Sequence, residues 1–345
     1  MEQTGPNSIC PPVAPSVKQV ALEGAPTIEV ALAWHETGYR RPAVERRSLS
    51  RVIERRDEWN RYIPRVDQGG LAKLEHENLI EAIAVATASA ERSLVRHAGG
   101  VALIVSGLPA RIFNQILIES DDAERATVEE AVAITRGRGD RFVVNLRVGA
   151  DDRFAPLMAD LGLVPISDTP WMPGMALYPI HDAEAPSLPG HEIVRVTREE
   201  QLEDHIQATV AGFEMSASMV RDIVTPALLQ RRGVSLYTGY TNGQPVSTGV
   251  GVRTGQTMGL YDISTVPEAR GRGYGAAVTR RVADDGREEG CDVAALQASR
   301  MGFPVYERLG YRTVVEYMGY IDPPTSALNA SANSAGESSS AASPQ

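Results

Sequence analysis

The stretch VPEARGRGYGA, residues 266–276, sets Gly271, Gly273 and Gly275 around Arg272 and Tyr274, with Arg270 just ahead of them. Glycines at alternate positions remove the Cβ atoms that would hold a phosphate away from the backbone. A helix opening here would add its unpaired N–H groups and the positive end of its dipole. Arg270 and Arg272 bring charge suited to a pyrophosphate or a ribose phosphate. The other use of such a composition is a solvated turn. Two common phosphate loops are excluded. A Walker-type loop needs Lys after its last glycine, and the only lysines are Lys18 and Lys73. The same two residues would have to serve any Schiff-base chemistry. GRGYGA also satisfies a loose dinucleotide fingerprint, but that fingerprint wants an acidic residue closing the next strand. The following run, CDVAALQAS, has its only carboxylate, Asp292, at its start.

The elements around this loop follow from hydrophobic period and turn chemistry. Residues 233–266 read as strands separated by the hairpin turns TNGQ and RTGQ. A helix over 274–289, a strand over 291–299, a helix over 303–309 and a strand over 311–320 follow. Upstream, EIVRVT (192–197) reads as a strand leading into a helix. Further left, 71–96 reads as a helix with a small-residue stripe. Strands follow at 100–107 and 113–120, then a helix at 126–139, a strand at 141–148, a helix at 151–163 and a strand at 174–180. LGL at 161–163 and LGY at 309–311 align at an offset of 148 residues, which lays helix over helix and implies an internal duplication. At the glycine loop the copies differ, since the left half has SDDAERATVEE there. The carboxylates and missing glycines leave the anion site to the right half.

The chain has 345 residues, 43% of them hydrophobic, enough for two domains. A net charge of −10 argues against nucleic acid and hints at cationic acceptors such as an aminoglycoside-like compound, a polyamine or a peptide amine. Cys10 and Cys291 imply neither a disulfide framework nor a metal cluster, and the six histidines show no ligand spacing. The start, MEQTGPNSICPPVAPS, lacks the apolar core of a signal peptide, and no apolar run reaches membrane-spanning length. The expectation is a cytoplasmic protein without metal, membrane or nucleic-acid partner, and a homodimer is compatible with the chain. Residues 1–26 and 323–345 are expected to be disordered. Residues 27–70 read as a partly helical extension, with a charged helix at 48–63, and 181–190 reads as a linker.

R-x-x-G-x-G at Arg270, Gly273 and Gly275, followed after one helix and one strand by ASRMGFPVYERLGY, resembles the GNAT superfamily of acyl-CoA-dependent N-acetyltransferases. The resemblance is specific over about 233–320. It implies an α/β fold of two GNAT-like mixed-sheet domains in tandem, a degenerate copy at 71–180 and a catalytic one at 191–322. It also implies acetyl-CoA as co-substrate. Backbone groups of Ser264, Thr265 and Val266 would face the acetyl group and pantetheine. Amides from Gly271 to Ala276, through Arg272, Gly273, Tyr274 and Gly275, would wrap the pyrophosphate. Ser299 and Arg300 would sit where two strands splay apart, and Tyr306 would lie near the thioester sulfur.

The reaction implied is direct attack of a neutral amine, from a small molecule or a peptide, on the thioester. Tyr306 would protonate the departing thiolate, though a tyrosine in VYERLGY can also simply pack. Something must take the amine's proton, a carboxylate acting through water being one way, and Asp262 and Glu214 are the candidates. Side chains alternate along a strand, so only one of Tyr261 and Asp262 should face the cleft. Asp222 reads as a surface charge, and Asp284, Asp285, Arg287, Glu288 and Glu289 as a solvated helix face. Two alternatives stay open: a protein that binds or senses acyl-CoA without turnover, and a transferase with another acyl group or an oxygen acceptor.

Overall fold

The computed structural model describes residues 66–181 and 188–323. The readings for 1–26, 48–63 and the C-terminal tail, and most of 27–70, lie outside these residues, as does the middle of 181–190. The first element is helix α1 (Gln68–Thr87), capped by Asp67, whose Oδ1 accepts the Gly70 N–H at 2.8 Å. The helix ends well before residue 96, the end expected from the sequence. Residues 94–98 instead form a strand that pairs with 101–105 across Gly99 and Gly100, both at positive φ. Two glycines in the left-handed region make the tight hairpin that overrides the helical pattern.

In the left half the strands are β1 (Leu94–Ala98), β2 (Val101–Val105), β3 (Asn114–Ile118), β4 (Val143–Arg147), β5 (Val164–Pro165) and β6 (Met172–Leu177). Helices α2 (Arg125–Arg138) and α3 (Ala155–Asp160) lie before and after β4. The right half begins with β7 (His191–Arg195) and helices α4 (Glu199–Phe213), α5 (Ala217–Ile223) and α6 (Pro226–Leu229). The meander β8 (Val234–Thr241), β9 (Gln244–Thr254) and β10 (Thr257–Thr265) follows. Its turns have Asn242, Gly243 and Gly255 at positive φ, as the NG and TG signals require. The half closes with α7 (Tyr274–Glu288), β11 (Val293–Gln297), α8 (Phe303–Arg308) and β12 (Arg312–Ile321). Ala155 and Phe303, which open α3 and α8, stand 148 residues apart, the offset of the LGL/LGY alignment.

All the strands join one mixed sheet in the order β1-β2-β3-β4-β12-β6-β11-β10-β9-β8-β7, with β5 beside β12. Its parallel pairs are β3 with β4 and β10 with β11. The halves exchange their last strands. The right half's β12 pairs with β4, and the left half's β6 pairs with β11. The two exchanged strands pair with each other. Side chains follow the backbone, so Met175 and Leu177 of the left half complete the core beneath α7. Val315 and Tyr317 of the right half pack with Ile104 and Leu117.

Helix α1 crosses behind the junction and packs on strands of both halves. The charged face of α7 is not wholly solvated. Arg280 pairs with Asp284 and Arg281 with Asp285, and the Tyr237 hydroxyl donates to Asp285 Oδ2 at 2.8 Å. Among the described residues no helix is long and apolar enough to cross a membrane.

Candidate active site

Strands β10 and β11 are paired only over Thr257–Gly259 and Val293–Ala295. Beyond that each follows its other neighbour. β10 stays with β9 through Thr265↔Ser247, while β11 stays with β6 through Gln297↔Gly174. A gap therefore opens between two parallel strands, with the glycine loop at the end of β10.

That loop carries six successive amides, Gly271 to Ala276, none of which finds an acceptor among the described residues. Gly271 and Gly273 sit at φ +77° and +88°, which turns the chain into α7. A Cβ on Gly275 would stand 3.3 Å from Thr265 Oγ1, so the helix start lies close against the strand end. Free amides, a helix N-terminus and missing side chains together make an anion cradle. Tyr274 stacks on His191 at 4.4 Å between centroids and anchors the turn.

Three expectations for this loop change in detail. The Arg270 guanidinium does not project to an anion. It donates to the carbonyls of Thr265 (3.2 Å) and Gly212 (2.9 Å) and lies 3.6 Å from Glu214. The unpaired carbonyls at the C-terminus of α4 attract the cation, so Arg270 ties helix to loop. Glu214 is thereby an ion-pair partner on the surface, not a group in the cleft. Val266 has both backbone groups engaged, its N–H on Val246 O and its carbonyl on the Ala269 N–H. Arg272 is exposed and makes no hydrogen bond or ion pair among the described residues, which leaves its charge free.

A cavity of about 440 Å³ lies against the gap and is lined by Asp262, Ser299, Arg300 and Tyr306. Tyr261 lines it as well as Asp262, against the expectation from alternation. The reason is a bulge. The β9–β10 register shifts between Tyr261 and Ser264, and Asp262 takes φ +49°. The Thr248 hydroxyl donates to Asp262 O at 2.9 Å and therefore accepts from the Ser264 hydroxyl at 2.7 Å, which locks the bulge. Burial pushes the Asp262 carboxyl up to about 6. Tyr306 is buried, its hydroxyl pushed up to about 12 for the same reason, and that hydroxyl makes no hydrogen bond among the described residues. Ser299 caps the turn before α8 by accepting the Gly302 N–H at 3.1 Å, and Arg300 is exposed beside it.

Sequence reasoning missed what α1 contributes. The segment EHEN interrupts its apolar face, and Glu75, His76 and Asn78 are buried. Asn78 donates to Val252 O and Thr254 Oγ1 and accepts from the Tyr261 hydroxyl at 2.6 Å. Gln297, on the cavity wall, donates to Glu75 Oε1 at 2.7 Å.

Burial lowers His76 to about 4, so the ring is neutral and carries one N–H. Nε2 lies 2.7 Å from the carbonyl of Ile118, which only accepts, so Nε2 carries the proton. Nδ1 lies 2.9 Å from the Tyr317 hydroxyl, and that hydroxyl donates to Glu75 Oε2 at 2.7 Å. Burial pushes this carboxyl up to about 7, with the bonds to Gln297 and Tyr317 and the charge of Arg147 opposing the rise.

The corresponding turn in the left half lacks the glycines. The amides of Glu119 and Ser120 both bond to Gly100 O, and Asp122 accepts the Ser120 hydroxyl. Asp121, Asp122 and Glu124 place carboxylates beside the helix start there.

A sheet that parts beside a glycine-rich helix start is the arrangement that the resemblance of 233–320 implies. A family model described as an acetyltransferase (GNAT) domain matches residues 185–300. No curated protein matches the chain. Among solved structures, a GCN5-related N-acetyltransferase from Kribbella flavida superposes with a TM-score of 0.52 at 18% identity, covering 71% of this chain and 96% of its own. The two share a fold. A GCN5-related N-acetyltransferase from Sphaerobacter thermophilus gives a TM-score of 0.48 at 15% identity, covering 66% of this chain and 82% of its own. A tandem GNAT protein from the clavulanic acid biosynthesis pathway gives 0.46 at 14%, covering 72% and 95%.

Proposed function

We propose that the chain transfers an acetyl group from acetyl-CoA to an amine, at a site in the right half. The observation that carries this reading is the row of free amides from Gly271 to Ala276 beside the gap between β10 and β11. The amides fit the diphosphate of CoA, and Arg272 adds a free cation at its edge. Bound this way, acetyl-CoA supplies the activated acyl carbon, and the protein holds both partners in one cavity. Asp262 takes the proton that the amine loses as its nitrogen forms the new bond to the acyl carbon. The carbon–sulfur bond breaks, and the Tyr306 hydroxyl, protonated throughout the neutral range, donates to the departing sulfur. Burial of the Asp262 carboxyl makes it a better base than an exposed aspartate.

The test is Gly275→Glu. Position 275 lies in the first turn of α7, where a carboxylate suits the helix, so the variant should fold. Its charge would stand in the cradle. CoA affinity measured by calorimetry should fall at least about 100-fold, nearly 3 kcal/mol. Unchanged affinity would remove the loop from the donor site. CoA binding by the parent without thiol release on any amine would make it a binding protein.

A further inference from the structure

The cavity lined by Asp262 and Tyr306 has walls from three separate parts of the chain. Leu79 and Ile83 come from α1, Phe113 and Trp171 from the left half, and Ile223 and Leu228 from the short helices after α4. Its volume of about 440 Å³ is that of a small-molecule site. The charged side chains that touch it are Asp262 and Arg300, and the other polar ones apart from the tyrosines and Trp171 are Gln115, Gln297 and Ser299. Each glutamine is tied to another part of the protein. Gln115 donates to Ile112 O at 2.7 Å and accepts from Asn145 at 2.6 Å, and Gln297 donates to Glu75. At the edge, Ile112 and Phe213 are 50% and 43% exposed.

These observations discriminate between amines. A polyamine or an aminoglycoside carries several cationic groups, and each beyond the first would be stripped of water with no partner here and with Arg300 opposing it. Hydroxyl-rich acceptors meet a wall that is mostly apolar, with few polar side chains for many hydroxyls. An apolar body loses nothing on entering and gains by leaving water. The net charge of −10 does not bear on this site, because Asp262 is the one carboxylate among its lining residues.

We infer that the acceptor is a primary monoamine with an aromatic or aliphatic body, its nitrogen at Asp262 and its body against α1 and the left half. The chemistry rests on the transferase reading, but the binding does not. Calorimetric titration of the full chain, with and without CoA, with 2-phenylethylamine, octylamine, spermine and kanamycin tests it. The two apolar monoamines should bind at least about tenfold more tightly than the polycations. Ala86→Trp fills the wall from a half-buried position, and Ile112→Arg charges the exposed edge. Each should weaken 2-phenylethylamine at least about tenfold and leave CoA affinity unchanged.

Polycations binding as tightly, or no monoamine binding at all, would overturn the inference. So would octanoyl-CoA that binds about tenfold more tightly than acetyl-CoA and excludes 2-phenylethylamine, since the cavity would then hold the acyl chain. Thiol release is scored separately. Monoamine binding without release sinks the transferase reading and spares the inference, and release with spermine alone does the reverse.

Discussion

Asp262 shows how a backbone irregularity sets chemistry. An aspartate at φ +49° sits in a region that costs of order 1 kcal/mol for a residue with a Cβ, and the Thr248 hydroxyl on its carbonyl offsets that cost. Without the bulge, Tyr261 and Asp262 would point to opposite faces of β10, and the cavity would have the Tyr261 phenol or the Asp262 carboxylate but not both. The residue itself was legible as a candidate base, from its place at the end of a strand before the glycine loop. The bulge was not, because no glycine marks it and its hydroxyl clamp comes from a neighbouring strand. With the carboxyl raised to about 6, kcat/KM at a fixed concentration of neutral amine should climb with pH through 6 and then level off. Asp262→Asn should abolish that limb and lower kcat by about 100-fold or more. A variant that keeps the limb would assign the base to another group.

At the level of elements, α1 is what the right-hand site lacks within its own half. It brings Asn78 to the Tyr261 hydroxyl and Glu75 to Gln297, and it fills the space behind the cavity. The hairpins, α7 and α8 were readable because NG, TG and the alternating glycines act locally. The course of α1 was not, since its partners lie up to 242 positions away and only the polar EHEN in an apolar run hints at them. The raised Glu75 carboxyl can be checked directly. Its carboxyl is raised from about 4.5 to about 7, so the folded state binds the proton more tightly than the unfolded state does. The stability this gives is complete below about 4.5 and is lost as pH rises through 7. Glu75→Gln mimics the neutral acid. In urea melts the variant should gain on the parent between pH 5 and 8, by up to about 3 kcal/mol. A difference that stays flat over that range would show that the buried carboxyl carries charge in the native state.

Across the whole molecule, the exchange of β6 and β12 decides what counts as a folding unit. The duplication read from the sequence assigns each last strand to the half that contains it. Strand pairing is invisible to that reading: β6, of six residues, and β12, of ten, each end their own half, and neither sequence marks the strand it pairs with. In the structure β11 has β6 along its second edge, and β12 bridges β6 and β4. Removing the left half would expose the backbone of Ala294–Gln297 and strip Met175 and Leu177 from the core beneath α7, about 2 kcal/mol or more each. A fragment of 188–323 alone should therefore aggregate or stay unfolded by circular dichroism. The full chain cut within 182–187 should behave differently. Each piece still holds the other's closing strand, so the cut chain should elute as one species in size-exclusion chromatography, bind CoA and melt in a single transition. If the isolated fragment folds cooperatively and binds CoA with the affinity of the whole, the strands can close their own halves, and the exchange is not what holds the site together.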